Sequence, residues 1–191
     1  MTAYSALGAA HDPEGHVAEW IAEGGDSGSG TSDRVEIRWE NEGFTLTGAL
    51  EHERVEYVMR LSSTWQLRQF ILFRDLEEPD LWLATDGHGR WGEMNGAHRT
   101  ELDGCRDLVL EGAAVSHALL IRRLPLHVGH SADVPVIVVD TDTLEVTTRQ
   151  RRYTRTGEHS WAVDEDRSVM IFEVDEHGLP LDIPGQSRRV R

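Results

Sequence analysis

The sequence contains no lysine, a single cysteine and no apolar run long enough to span a bilayer. All 19 basic residues are arginines, set against 34 acidic ones, for a formal charge of -15. Such a surface repels nucleic acid and anionic bilayers unless its arginines cluster, so no nucleic-acid partner is expected. The missing lysine is read as GC-rich coding rather than salt adaptation. The lone Cys105 excludes an internal disulfide and any cysteine cluster for zinc. Lying between a turn and a strand in DGCRDLVL, it reads as a small buried side chain rather than a nucleophile. No stretch approaches about 18 continuous apolar residues, so no membrane span is expected. The opening MTAYSALGAAHDPEGH has neither the basic start nor the apolar stretch of a signal peptide, which makes the cytoplasm the expected setting.

What is present points to one β-rich domain. A chain of 191 residues can bury roughly 70% of its unfolded surface, enough for a core or for a core with a cavity. Residues 1–33 read as an amino-terminal extension, partly flexible, in which HVAEWIAEGG sets Val17, Trp20 and Ile21 on one helical face. The Gly/Ser-rich stretch GGDSGSGTSD then acts as a linker. From residue 34 to 191 a two-residue period takes over. Val35, Ile37 and Trp39 share one side, as do Phe44, Leu46 and Leu50, and then Val55, Tyr57, Met59 and Leu61. WQLRQFILF, DLWLAT, DLVLE, VPVIVVD, RQRRYTR, HSWAV and SVMIFEVD continue the series, with DGHGRW as a tight turn. Ten or more strands therefore surround one short helix.

That helix is the exception to the alternation. VSHALLIRRL, residues 115–124, is apolar nearly all round before its two arginines, and a helix of that kind is usually surrounded by protein. Arg122 and Arg123 at its carboxyl end suit the helix dipole and either cap a packed core or reach the mouth of a cavity. RQRRYTR is the densest basic stretch, and alternation puts Arg149, Arg151, Tyr153 and Arg155 on one face. That face can fork onto a carboxylate or phosphate, or neutralise acids on neighbouring strands.

Other motifs lead nowhere. GDSG at 25–28 imitates a protease nucleophile, but a histidine and an aspartate cannot precede it by most of a domain. His127 and His130 are three apart, which on a strand means opposite faces. Asp140 and Asp142 lack the glycine and closing glutamate of a calcium loop. No nucleophile and base stand at a recognisable spacing, so no catalysis, metal or cofactor is expected.

DGHGRW, the run ELDGCRDLVLEGAAVSHALLIRRLPLHVGHSADVPVIVVD, RQRRYTR and VDEHGLPLDIPGQSRRV together resemble a bacterial family named for glycolipid binding. The resemblance covers roughly residues 34–190, with matches at Leu102, Asp103, Gly104, Cys105, Ile121 to Leu124, Arg149, Tyr153, Pro184 and Gly185. The chain departs from the family pattern at Ser116, His117, Ala118, Leu119 and Leu120, where a Thr-Asn-Thr-Leu-Pro run is usual. It departs again at Ile183, where an aromatic residue is usual. The resemblance implies a spiral β-roll: a long antiparallel sheet wrapped around a single central helix, about residues 113–123, in a homodimer. It also implies a lipid or glycolipid carrier or sensor. On that view apolar chains lie between Val115, Leu119 and Leu120 of the helix and Trp65, Leu67, Phe73 and Trp82 of the concave sheet. Arg122, Arg123, Arg151 and Tyr153 form the polar mouth. Burying a 14-carbon chain at about 0.8 kcal/mol per methylene offers roughly 11 kcal/mol before ordering costs. A non-catalytic dimeric interaction module with a packed core and no ligand is the alternative.

Overall fold

The computed structural model describes residues 4, 5, 7, 15–22, 32–51, 54–74, 78–165 and 168–191. Alternating sequence becomes strand almost throughout. The order is β1 (His16–Ala22), β2 (Ser32–Glu40), β3 (Gly43–Leu50), β4 (Val55–Ser62), β5 (Leu67–Phe73), β6 (Leu81–Thr85) and β7 (Trp91–Glu93). After one 3-10 turn at Thr100–Leu102 come β8 (Asp107–Leu110), the helix α1 (Val115–Arg123) and β9 (Ser131–Val139). β10 (Val146–Arg155), β11 (Ser160–Glu165), β12 (Ser168–Glu173), β13 (Asp182–Ile183) and β14 (Ser187–Arg189) complete the chain.

The expected single antiparallel sheet is instead two hydrogen-bonded sheets. Nine strands run in the order β13-β14-β1-β2-β3-β4-β5-β6-β7, and five in the order β12-β11-β10-β9-β8. The sheets meet at one corner, where Val174 bridges Pro180 and the Leu181 N–H donates to the Glu173 carbonyl at 2.8 Å. One pair departs from the antiparallel expectation, since β8 and β9 run parallel. The cause is the connection between them. A parallel pair needs a long crossover, and α1 is that crossover.

Where HVAEWIAEGG suggests a helical face, His16–Ala22 form a strand. Ala18 and Trp20 alternate inward and are fully buried, and β1 pairs antiparallel with both β2 and β14. Two strand partners satisfy its backbone, whereas an isolated helix of that length is unstable in water. Residues 24–31 of the Gly/Ser stretch, GDSG included, lie outside the described residues, while its last two, Ser32 and Asp33, begin β2.

Helix α1 is fixed at both ends. Its amino end has no local side-chain cap. Asp33 of β2 serves instead, its carboxylate accepting the Ala114 N–H at 2.8 Å and the Tyr57 hydroxyl at 3.3 Å. A carboxylate there also faces the positive end of the helix dipole. Tyr57 lies flat across Gly48, its partner on β3, where an added Cβ would overlap the ring. The carboxyl end stops at Leu124, which turns extended at ψ 118° because Pro125 disfavours helical geometry in the residue before it. Between its ends α1 joins two apolar clusters. Val115, Ala118 and Leu119 pack with the nine-stranded sheet, while Leu120, Ile121 and Leu124 pack with Val134, Val136, Val138, Trp161 and Phe172.

Candidate functional site

One polar group of α1, His117, faces the five-stranded sheet. His117 is buried, with Nδ1 3.1 Å from the Tyr153 hydroxyl and its ring 5.2 Å from that of Phe172. Strand alternation on β10 turns Arg151 and Tyr153 inward, while Gln150 and Arg152 stay exposed. Arg151 forms an ion pair with Glu165 of β11 at 2.6 Å. Arg149 lies 3.4 Å from the same carboxylate and 3.8 Å from Glu111.

The protons on this cluster follow from its partners. Tyr153 is also hydrogen-bonded to Arg151, and a guanidinium only donates, so the phenolic oxygen accepts from it. That leaves the Tyr153 O–H to donate to His117 Nδ1, which puts the proton of a neutral imidazole on Nε2. Neutral is the stable form. Burial, and then the charge of Arg151, press the His117 pKa down to about 3. Burial pushes the Tyr153 hydroxyl upward, so neither group ionises near neutrality.

These groups form one wall of a half-open pocket of about 250 Å³. His117, Arg151, Glu165, Glu111 and Gln186 are its polar lining, and Leu110, Ala113 and Met170 its apolar lining. Arg151 Nε is buried without a hydrogen-bond partner. A second hollow of about 260 Å³ lies over Arg123, Arg106 and Asp133.

The expected site residues do not come together in one place. Val115, Leu119, Trp65 and Leu67 are together, but in a packed cluster in which each is at most 4% exposed. Leu120 belongs to the other cluster. Phe73 and Trp82 are half-buried on the opposite face of the sheet, since Leu72 and Leu83 beside them point inward. The two helix arginines also part company. Arg123 forks onto the buried Asp107 of β8, closing the helix against its strand. Arg122 lies 4.1 Å above the Trp65 ring and donates to the carbonyls of Ser5 and His177. Burial presses its pKa down to about 10. Of the expected mouth only Arg151 lines the pocket, while Tyr153 lies buried behind it in the second apolar cluster.

Residues 28–189 match the family model described as "Putative glycolipid-binding". The chain belongs to this family. It is also similar to the crystal structure of a DUF1089 family protein from Pseudomonas aeruginosa, at 25% identity and a TM-score of 0.72. That likeness covers 82% of this chain and 91% of the other. No protein with a curated description matches. The family region contains the whole pocket, and the motif RQRRY supplies Arg151 to its lining and Tyr153 to the support of His117 behind it. LDGC has a different task. Leu102 and Cys105 are buried, and the Cys105 carbonyl accepts the Trp91 indole N–H at 2.8 Å. Burial raises the Cys105 thiol pKa, which fits a packed side chain.

Sequence reasoning missed His117 and Glu165 as site residues. The signal for His117 was present, since it is the only ring in an apolar helix. Glu165 had none. It reaches Arg151 only through the register that pairs β10 with β11. His127 and His130 are exposed, and among the described residues no group of His, Cys, Asp and Glu is arranged for a metal ion. Asp140 closes a turn, accepting the Thr143 N–H at 2.7 Å and its hydroxyl at 2.8 Å.

Proposed function

We propose that this chain is a non-catalytic carrier or sensor of a lipid or glycolipid, with the ligand's polar end in the His117–Arg151–Glu165 pocket. Family membership supports binding at the level of the family. The observation that carries the reading further is Arg151. Its side chain is only 7% exposed, it lines a cavity, and one of its donors has no partner. A buried donor left unsatisfied costs about 1–3 kcal/mol, which a bound oxygen recovers. The apolar chain then leaves past Leu110, Ala113 and Met170 rather than between helix and sheet, where side chains already fill the space. A spiral roll around α1 belongs to the same reading, supported by a helix that packs against both sheets. A homodimer is part of the same reading, favoured by exposed Val169 and Ile171 on the edge strand β12. A cytoplasmic setting suits a chain whose one cysteine is buried and free.

Packing between α1 and the nine-stranded sheet favours a second reading, a dimeric interaction module without a ligand. Mass spectrometry of an organic extract of the freshly purified protein separates the two, with an unrelated acidic protein treated in parallel. The binder reading expects a stoichiometric lipid found only with this chain. An empty extract, followed by no uptake of a fluorescent fatty acid, would leave the interaction module.

A further inference from the structure

The pocket's lining is specific about charge, and its size limits what can enter. At about 250 Å³ it lies below the roughly 300–1,000 Å³ of typical ligand pockets, so it holds a single small ring rather than an acyl chain. Its lining brings two carboxylates, Glu111 and Glu165, and one guanidinium, Arg151. Arg149 touches both carboxylates from outside and brings the local sum of charges to zero. His117 contributes no charge, for the reasons of burial given above. A dianion entering here meets two like charges at close range, and the one lining cation is already held by Glu165 at 2.6 Å. The formal charge of -15 on the chain adds to that repulsion.

Hydrogen-bond polarity gives the same answer independently. Two carboxylates in the lining can only accept, while Arg151 Nε can only donate and has no partner. Gln186 at the rim does both. A phosphate near neutrality chiefly accepts, so it leaves both carboxylates without a proton. A hydroxyl donates to one group while accepting from another, which satisfies acid and guanidinium together. The side chains of Leu110 and Met170 offer an apolar surface for the C–H face of a ring.

Resting on the binder reading above, we infer that this pocket selects an uncharged ring bearing several hydroxyl groups, a neutral sugar, and refuses phosphate. Glu165 is the residue that sets this choice, because it neutralises both Arg151 and Arg149. Removing its charge while keeping its shape should therefore exchange one preference for the other.

The test titrates the full chain with methyl glycosides of neutral hexoses and, separately, with inorganic phosphate, followed by ligand-observed NMR at fixed ionic strength. Wild type should bind at least one glycoside saturably and give no phosphate signal. Glu165→Gln should bind that glycoside roughly tenfold or more weakly, the value of one hydrogen bond to a charged group, and should now bind phosphate. Gln186→Ala, a half-buried rim change that spares the interior ion pairs, should weaken the glycoside severalfold and guards against a folding defect in the first variant. Phosphate binding to wild type, or no saturable binding by any glycoside, would overturn the inference. The extract distinguishes this failure from failure of the binder reading. A sugar-free lipid in the extract with no glycoside binding keeps the binder and removes the sugar. An empty extract with glycoside binding removes the lipid and keeps the sugar.

Discussion

The two flanks of α1 make different demands on their surroundings. Towards the nine-stranded sheet the helix presents Val115, Ala118 and Leu119, which ask only for close packing. Towards the five-stranded sheet it presents His117 beside Leu120 and Ile121, and the histidine heads a chain of hydrogen bonds: Tyr153 to the imidazole, Arg151 to Tyr153, Glu165 to Arg151. The apolar flank fixes where the helix lies. The polar flank depends on that placement, because a buried hydrogen-bond chain works only when each member is held in position. Arg122 and Arg123 repeat the contrast one turn on: Arg123 has a buried carboxylate, whereas Arg122 has carbonyl oxygens and an indole face.

The largest effect should come from breaking the apolar flank. Leu119 is 1% exposed, and Leu119→Ala leaves a cavity expected to cost about 2–5 kcal/mol. Urea unfolding at pH 7 should show a lower midpoint with an unchanged slope, so that stability falls without a change in the surface exposed on unfolding. A loss under about 1 kcal/mol would mean that the helix is not anchored on this side.

A smaller and pH-dependent effect should mark the polar flank. His117 has a folded pKa of about 3 against an ordinary value of 6.5. Between those values the unfolded chain binds a proton that the folded chain does not, so stability declines as pH falls below about 6.5, reaching a loss of about 2 kcal/mol by pH 5. Above 6.5 the residue contributes no slope. Asp107 acts in the opposite sense, because burial raises its pKa and the folded form takes up protons more readily. Comparing wild type with His117→Leu cancels that contribution. The variant should lose less stability than wild type between pH 7 and pH 5 in matched urea titrations, and equal losses would place the imidazole in contact with water.

Most of the fold was legible because strand alternation is local. Alternation groups Val35 with Ile37, and Val55 with Tyr57 and Met59, and all of these, like Leu46, are buried. The helix was legible from its apolar run. What escaped notice depends on partners distant in the chain. β1 reads equally well as a helical stripe, and only pairing with β14, as in Trp20 opposite Arg189, decides for a strand. Glu165 entered the site by cross-strand register, which no spacing along the chain encodes.

Phe73 gives the smallest effect and the sharpest check on that register. Leu67 and Phe73 have the same parity, so uninterrupted alternation puts both on the concave face. The pairing of β4 with β5 shifts at Arg60 and Leu61, and beyond the shift Phe70 and Leu72 point inward while Ile71 and Phe73 point out. One extra residue in a strand reverses every side chain that follows it. Phe73→Thr should therefore cost no more than about 1 kcal/mol, as a half-buried strand position filled by another β-former. Leu72→Ala beside it should cost about 2–5 kcal/mol as a fully buried leucine. Were the two losses to come out reversed, the bulge would lie elsewhere and the concave face of β5 would be the one that plain alternation predicts.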